Sequence, residues 1–289
     1  MLRFTKEIFS SFNIRRTILQ KNKFFKKMGD KFYDSGYEVY EDRKLLSKDL
    51  IIGDIKNADI IFAARYDTKP TLLFKNCIFP KNKAKTYLYY FLVFSVLNLI
   101  ALFFEYFYFW ITESQSGSLV CYFVTMAFFL LYLLFGFSFK GADDNTSSVM
   151  ALCESILSFS PEKLKKKKVA FVFYDRFFKS DKTVIELSKI GNGDNLLFMC
   201  SEELRKDEEL TDTLISCIEN NEKKANTVTS LEKTTYRSFS SKTMIVSSFF
   251  ENKKGVLYSK NSRTLWDNTV DETNIALISE FIKNIVTGI

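Results

Sequence analysis

Two stretches of the chain carry almost no polar side chains. Residues 86–111, TYLYYFLVFSVLNLIALFFEYFYFWI, contain one charge, Glu105, and residues 119–139, LVCYFVTMAFFLLYLLFGFSF, contain none. A helix needs about 20 residues to cross the roughly 30 Å hydrocarbon layer of a bilayer, so each stretch is long enough. Tyr and Trp gather at the ends, as at a membrane interface, and the connecting TESQSGS is short and polar. The pattern predicts a transmembrane hairpin. Asn98 and Glu105 are the polar positions to watch in the first span, because such groups in lipid usually face a partner.

Outside the hairpin the periodicity changes. DIIFAARYD (59–67), KVAFVFYD (168–175), NLLFMC (195–200) and TMIVSSFF (243–250) are short, nearly continuous apolar runs of the kind buried in a parallel sheet. Helix-like stretches at 147–160, 202–221 and 274–286 separate them, and strands alternating with helices predict an α/β layered domain. The N-terminal MLRFTKEIFSSFNIRRTILQKNKFFKKM alternates apolar and basic residues without the apolar core of a cleavable signal. It reads as an amphipathic helix that packs on its own domain or rests on lipid.

Charge and cysteine content sharpen this reading. Lys75, Lys81, Lys83 and Lys85 precede the first span and Lys140 follows the second, while the connecting loop carries only Glu113. The positive-inside rule then predicts a two-span membrane protein with both termini and the main domain cytoplasmic. Five cysteines (Cys77, Cys121, Cys153, Cys200 and Cys217) form no CxxC pair and leave an odd one, which suits a reducing compartment. A net charge of +7 suits an anionic membrane surface or nucleic acid. The basic run KLKKKK (163–168) has no aromatic stacking platform beside it, so it reads as a solvated connection and nucleic acid is not expected as a partner.

The chain of 289 residues has no histidine. That excludes Ser–His and Cys–His nucleophilic sites. The paired acids of SEELRKDEEL read as a solvated helix face, with Glu202 and Lys206 spaced to pair. In GADDNTSSVMALCESI (141–156), two aspartates precede an apolar helical face. Acids there serve equally as helix caps or as cation ligands.

Five segments in order resemble the zinc aminopeptidases, the family that includes leucyl aminopeptidases and glutaminyl cyclases. IIFAARYDT (60–68) resembles a strand end that carries an HxD motif, and GADDN (141–145) resembles the bridging-aspartate motif. VAFVFYDRFF (169–178) is similar to the strand leading to a glutamate pair. VIELSKIGNGDNLLFM (184–199) is similar to the segment holding the next aspartate. SRTLWDNTVDETNIALISEFI (262–282) resembles the final histidine turn and C-terminal helix. The resemblance implies a three-layer αβα domain with a mixed, mostly parallel sheet. Residues 1–85 and 140–289 would form it, and the hairpin, 86–139 with spans of about 86–111 and 119–139, would be inserted between them.

Carried over position by position, the resemblance implies a degenerate site. Arg65 stands at the first histidine position, Phe177 and Phe178 at the base and ligand glutamates, Ser188 at the next aspartate and Arg263 at the last histidine. Asp67 and the bridging Asp144 are kept. Arginine stays protonated and cannot ligate, and phenylalanine offers neither ligand nor base. The expectation is therefore a pseudoenzyme with no catalytic residues, no metal and no cofactor, in which Arg65 and Arg263 replace the cations as counter-charge to the surviving aspartates. Beyond membrane lipid, the expected partner is a peptide or a membrane protein bound at the cytoplasmic face. Two alternatives remain: an enzyme with different, zinc-free chemistry in the old cleft, or a transporter subunit acting through the hairpin.

Overall fold

The computed structural model describes residues 3–12, 14–43, 47–68, 77–135, 145–175, 178–208, 211–212, 216, 226–236, 240–259 and 269–288. Asp144, Phe177 and Arg263 lie outside this set, as do residues 136–139 of the second apolar stretch.

Among the described residues nine strands form one mixed sheet: β1 (Val39–Arg43), β2 (Lys48–Ile52), β3 (Ile60–Arg65), β4 (Val169–Tyr174), β5 (Thr183–Leu187), β6 (Asn195–Cys200), β7 (Asn226–Ser230), β8 (Thr243–Glu251) and β9 (Leu257–Tyr258). Their order is β1-β2-β4-β3-β5-β8-β6-β7, with β9 on the end of β8. The centre, β4-β3-β5-β8, is parallel, and β1-β2, β2-β4 and β8-β6 are antiparallel. The four apolar runs of the sequence are β3, β4, β6 and β8, and β3 and β4 are buried on both faces as a central parallel strand requires.

Helices α1 (Arg3–Ser11), α2 (Ile18–Asp34), α5 (Ser147–Leu157), α6 (Pro161–Lys166), α7 (Glu202–Lys206) and α8 (Glu272–Gly288) contribute side chains to one large core on the first face. Helix α5 is sunk into that core, with buried residues on every side. It packs against β3, β4, α1 and α8. The second face carries two smaller clusters, around Ile61, Val172 and Val184 and around Leu197, Ile245 and Phe249.

The N-terminal segment differs from the single amphipathic helix expected. It breaks into α1 and α2 because Thr17 and Gln20 form a capping box that starts a new helix. The Thr17 hydroxyl accepts from the Gln20 amide at 3.2 Å, and the Gln20 side chain accepts from the Thr17 amide at 3.0 Å. Phe4, Ile8, Phe24, Phe25, Met28 and Phe32 fix both helices on their own domain.

Between β3 and α5 the chain leaves the domain as two long helices, α3 (Lys83–Thr112) and α4 (Gln115–Phe135), both apolar and long enough to cross a membrane. At 1.5 Å per residue the first is about 45 Å long. Apart from Thr86 and Ala101, the side chains of α3 are exposed in whole or part along its length. A soluble-core helix would be covered. The connection is tighter than the seven-residue loop expected: α3 is capped by Glu113, in the left-handed region (φ 54°), and α4 starts two residues after it. Gly117 lies in the first turn of α4, where a Cβ would stand 2.8 Å from the Tyr108 ring. A larger residue there would have to push aside the Tyr108 ring and the Ser114 hydroxyl.

The base of α3 is tied to the domain. Ile78 and Ser259 exchange backbone hydrogen bonds of 3.3 and 2.9 Å, the Thr235 amide donates to the Pro80 carbonyl at 3.1 Å, and Lys83 Nζ donates to the Glu232 carbonyl at 3.0 Å.

Candidate functional site

Parallel strands present their carboxyl ends at one edge of the sheet, where open α/β folds place their sites. Arg65 ends β3 and is paired in register with Tyr174, which ends β4. On β5 the alternation sends Ile185 and Leu187 into the first-face core and leaves Glu186 and Ser188 for the second face. These side chains form one wall of a cavity of about 350 Å³, together with Asn145, Lys189 and Ile245. The opposite wall is Thr86, Tyr87 and Tyr90 from the first two turns of α3, with Ile78, Thr235 and Tyr236. The pocket therefore lies between the sheet edge and the root of the apolar hairpin.

Charges in and behind the pocket are matched. Arg65 grips Asp67 with a two-point fork: Nη2 donates to Oδ2 at 2.8 Å and Nε donates to Oδ1. The pair is mostly covered, with side chains 27% and 11% exposed. Tyr174 donates its hydroxyl to Glu186. Burial pushes the Tyr174 phenol well up, the Glu186 charge adds to this, and Arg65 opposes it.

Behind Asp67 sits a second guanidinium, Arg15, with no exposed surface. Its Nε donates to the Tyr66 carbonyl at 2.5 Å, Nη1 to the Phe12 carbonyl, and Nη2 to the Thr146 hydroxyl at 3.0 Å. Its carbon centre lies 5.0 Å from the Phe24 ring centre. Burial brings the Arg15 pKa down to about 10, and the Asp67 charge holds it from falling further. Beside it Lys21 Nζ contacts both oxygens of Asp175 at 2.7 Å, and the Asp175 amide donates to Asp49 at 3.2 Å. Tyr66 lies among these groups, its phenol raised first by burial and then by Asp175, Asp67 and Asp49. Around Tyr66, Asp49, Asp67 and Asp175 thus meet Arg15, Lys21 and Arg65, three carboxylates against three cations.

Of the residues expected at the site, Arg65 and Ser188 line the pocket, and Asp67 is the partner of Arg65. Phe178 is buried in the second-face cluster, its ring centre 6.3 Å from that of Tyr174. Asp144, Phe177 and Arg263 lie outside the described residues. In the hairpin, Asn98 uses its amide oxygen internally, accepting from the Tyr122 hydroxyl at 2.7 Å, and Glu105 is half-buried on α3.

Sequence reasoning missed Arg15, Tyr174, Glu186 and Lys189. A lone glutamate inside the apolar run TVIEL was a usable signal for Glu186. Arg15 gave none, since one more basic residue in a basic segment reads as solvated.

The described donors do not suit zinc. The strand-end position carries a fixed positive charge, both Asp67 oxygens are held by that guanidinium, and Phe178 has no lone pair to give. Among the described residues no group of three or more His, Cys, Asp or Glu side chains could hold a metal ion.

In fold, the chain is similar to Porphyromonas gingivalis glutaminyl cyclase, with a TM-score of 0.56 and 12% identity over 99% of this chain and 96% of that one. It is similar also to Bacteroides thetaiotaomicron glutaminyl cyclase bound to N-acetylhistamine, with a TM-score of 0.52 and 9% identity over 98% and 94% of the two chains. At these identities the likeness is one of fold, and it is the fold that the ordered motifs implied. No family model matches the sequence, and no curated relative matches it.

Proposed function

We propose that this protein is a catalytically inactive, membrane-anchored member of the aminopeptidase-like fold. It binds a peptide or partner protein in the pocket at the cytoplasmic membrane face. The observation that carries the reading is the Arg65–Asp67 ion pair, which fills with a bound guanidinium the strand end where the resemblance calls for a metal-binding histidine. A guanidinium can hold an anion but cannot activate water as a zinc ion does.

The hairpin supports the anchoring. Its two helices are apolar and of spanning length, and exposed apolar side chains run along both. With lysines clustered before α3 and the α3–α4 turn carrying only Glu113, the main domain is cytoplasmic. Because Thr86, Tyr87 and Tyr90 wall the pocket, its occupant meets the protein beside the bilayer. The lining offers a carboxylate, several hydroxyls and two apolar side chains, Ile78 and Ile245, which suits a short peptide segment.

A photoreactive benzophenone at Tyr87, 70% exposed on the pocket wall, tests this directly. In native membranes it should capture a defined peptide or protein that the same group at Tyr33, on the far part of α2, does not. Capture of lipid alone would count against the reading.

A further inference from the structure

Outside α3 and α4, the aliphatic side chains more than half exposed among the described residues are Ile18 and Leu19, at 77% and 75%. Scattered exposed apolar residues need no explanation, but these two are adjacent and occupy the first turn of α2. That turn is rigidly mounted. The capping box fixes its start, and the Arg15 amide donates to the Thr68 hydroxyl at 2.9 Å while the Arg15 carbonyl accepts from the Thr68 amide at 3.2 Å. Lys21, one turn on, is bound to Asp175 just past β4.

Thr68 and Asp175 follow the carboxyl ends of β3 and β4. The same edge meets the root of α3, since Arg65, Tyr174 and Ser188 share a cavity with Thr86, Tyr87 and Tyr90. The exposed apolar pair and the root of the hairpin therefore occupy one edge of the domain. The sequence around the pair is basic, although Lys21 and Lys27 are paired with Asp175 and Glu7 and Arg15 is buried. From Ile8 to Gly29 the chain has no acidic residue and six basic ones, among them the exposed Lys23, one turn after Leu19, and the exposed Lys26. Apolar tips flanked by cations match the headgroup–acyl boundary of an anionic leaflet.

We infer that the first turn of α2 is a second membrane contact: Ile18 and Leu19 enter the interfacial layer of the bilayer that α3 and α4 span. The inference rests on the membrane-anchored reading. Two separated contacts, hairpin and α2 tip, hold the sheet edge against the lipid surface and so fix the pocket at headgroup level.

The test uses full-length protein in nanodiscs of anionic phospholipid with brominated acyl chains, and the natural tryptophans are Trp110 and Trp266. Leu19→Trp is made in a Trp110→Phe, Trp266→Phe chain. Tyr33→Trp in the same background is the control on the far part of α2, and Trp266→Phe alone leaves Trp110 to report on the hairpin. Expected are blue-shifted emission from position 19 with at least a twofold loss of intensity in brominated lipid, and no loss from position 33. If Trp110 is quenched but position 19 keeps solvent-like, unquenched emission, the membrane anchor stands and the α2 contact is overturned. Blue-shifted but unquenched emission from position 19 would put protein over it and also overturn the contact. If Trp110 is itself unquenched, the anchored reading falls and the inference with it.

Discussion

Arg65 and Asp67, two residues apart at the end of one strand, face each other as a two-point ion pair, with Nη2 2.8 Å from Oδ2. Side chains two apart on an extended chain share a face, so the pair forms locally and needs no distant loop to assemble it. Arg65→Ala should cost about 1–3 kcal/mol of stability, the general cost of leaving a covered charge-assisted hydrogen bond half made. Adding Asp67→Asn should recover part of that loss. Denaturant or thermal melts of both variants in detergent check this, and an unchanged Arg65→Ala melt would remove the pair from the account.

Arg15 should matter more than Arg65. It is fully buried, it satisfies two carbonyls and the Thr146 hydroxyl, and its charge faces Asp67. Arg15→Ala should destabilise by about 3 kcal/mol or more, at about 1–3 kcal/mol for each buried acceptor left without its donor. Arg15→Lys should recover little, because an ammonium cannot reach three acceptors in the plane of a guanidinium fork. The same melts read both variants.

Stability should fall in alkali. Cys200 is pushed up from 9.0 to about 11 by burial, and Cys153, Tyr66 and Tyr174 are raised as well. Each holds its proton more tightly in the folded chain than in the unfolded one. Their contribution is complete below the unfolded values and is lost as pH rises through the folded ones. Arg15 acts in the opposite sense, but its depressed value of about 10 puts that relief at higher pH. Melting temperature should thus be level up to about pH 8.5 and decline above the ordinary thiol value of 9.0. A melting temperature still rising at pH 10 would show that these groups are not buried as described.

The α3–α4 turn should face the outside of the cell. A short epitope inserted between Glu113 and Ser114 should be accessible in intact cells, and one at the C-terminus only after permeabilisation. Gly117 is a poor insertion site because Tyr108 packs against it. The protein should also remain in the pellet after carbonate extraction, since two exposed apolar helices of this length have no other solvent.

Much of the fold was legible where one physical signal dominates. β3, β4, β6 and β8 are continuous apolar runs because both of their faces are covered, and the long apolar helices announce themselves by length. β1 sits at the sheet edge with charged residues at Glu41, Asp42 and Arg43, so no apolar run marks it. β5 carries Glu186 as its fourth residue, which spoils its apolar run and supplies a pocket wall. At the site, the Arg65–Asp67 pairing could be read from spacing. The Arg15 network could not, because Arg15 lies between α1 and α2, where no periodic pattern tells a buried basic side chain from a solvated one. Such inversions are set by tertiary packing and leave no local pattern.

We propose that an arginine–aspartate pair stands where the zinc aminopeptidases that the sequence resembles hold metal. Zinc content per chain of the purified protein, measured by mass spectrometry after dialysis without chelator, decides this. Neither the wild type nor Arg65→Ala should retain stoichiometric zinc. Retention of about one or two zinc ions per chain, the complement of a working metallopeptidase site, would contradict it.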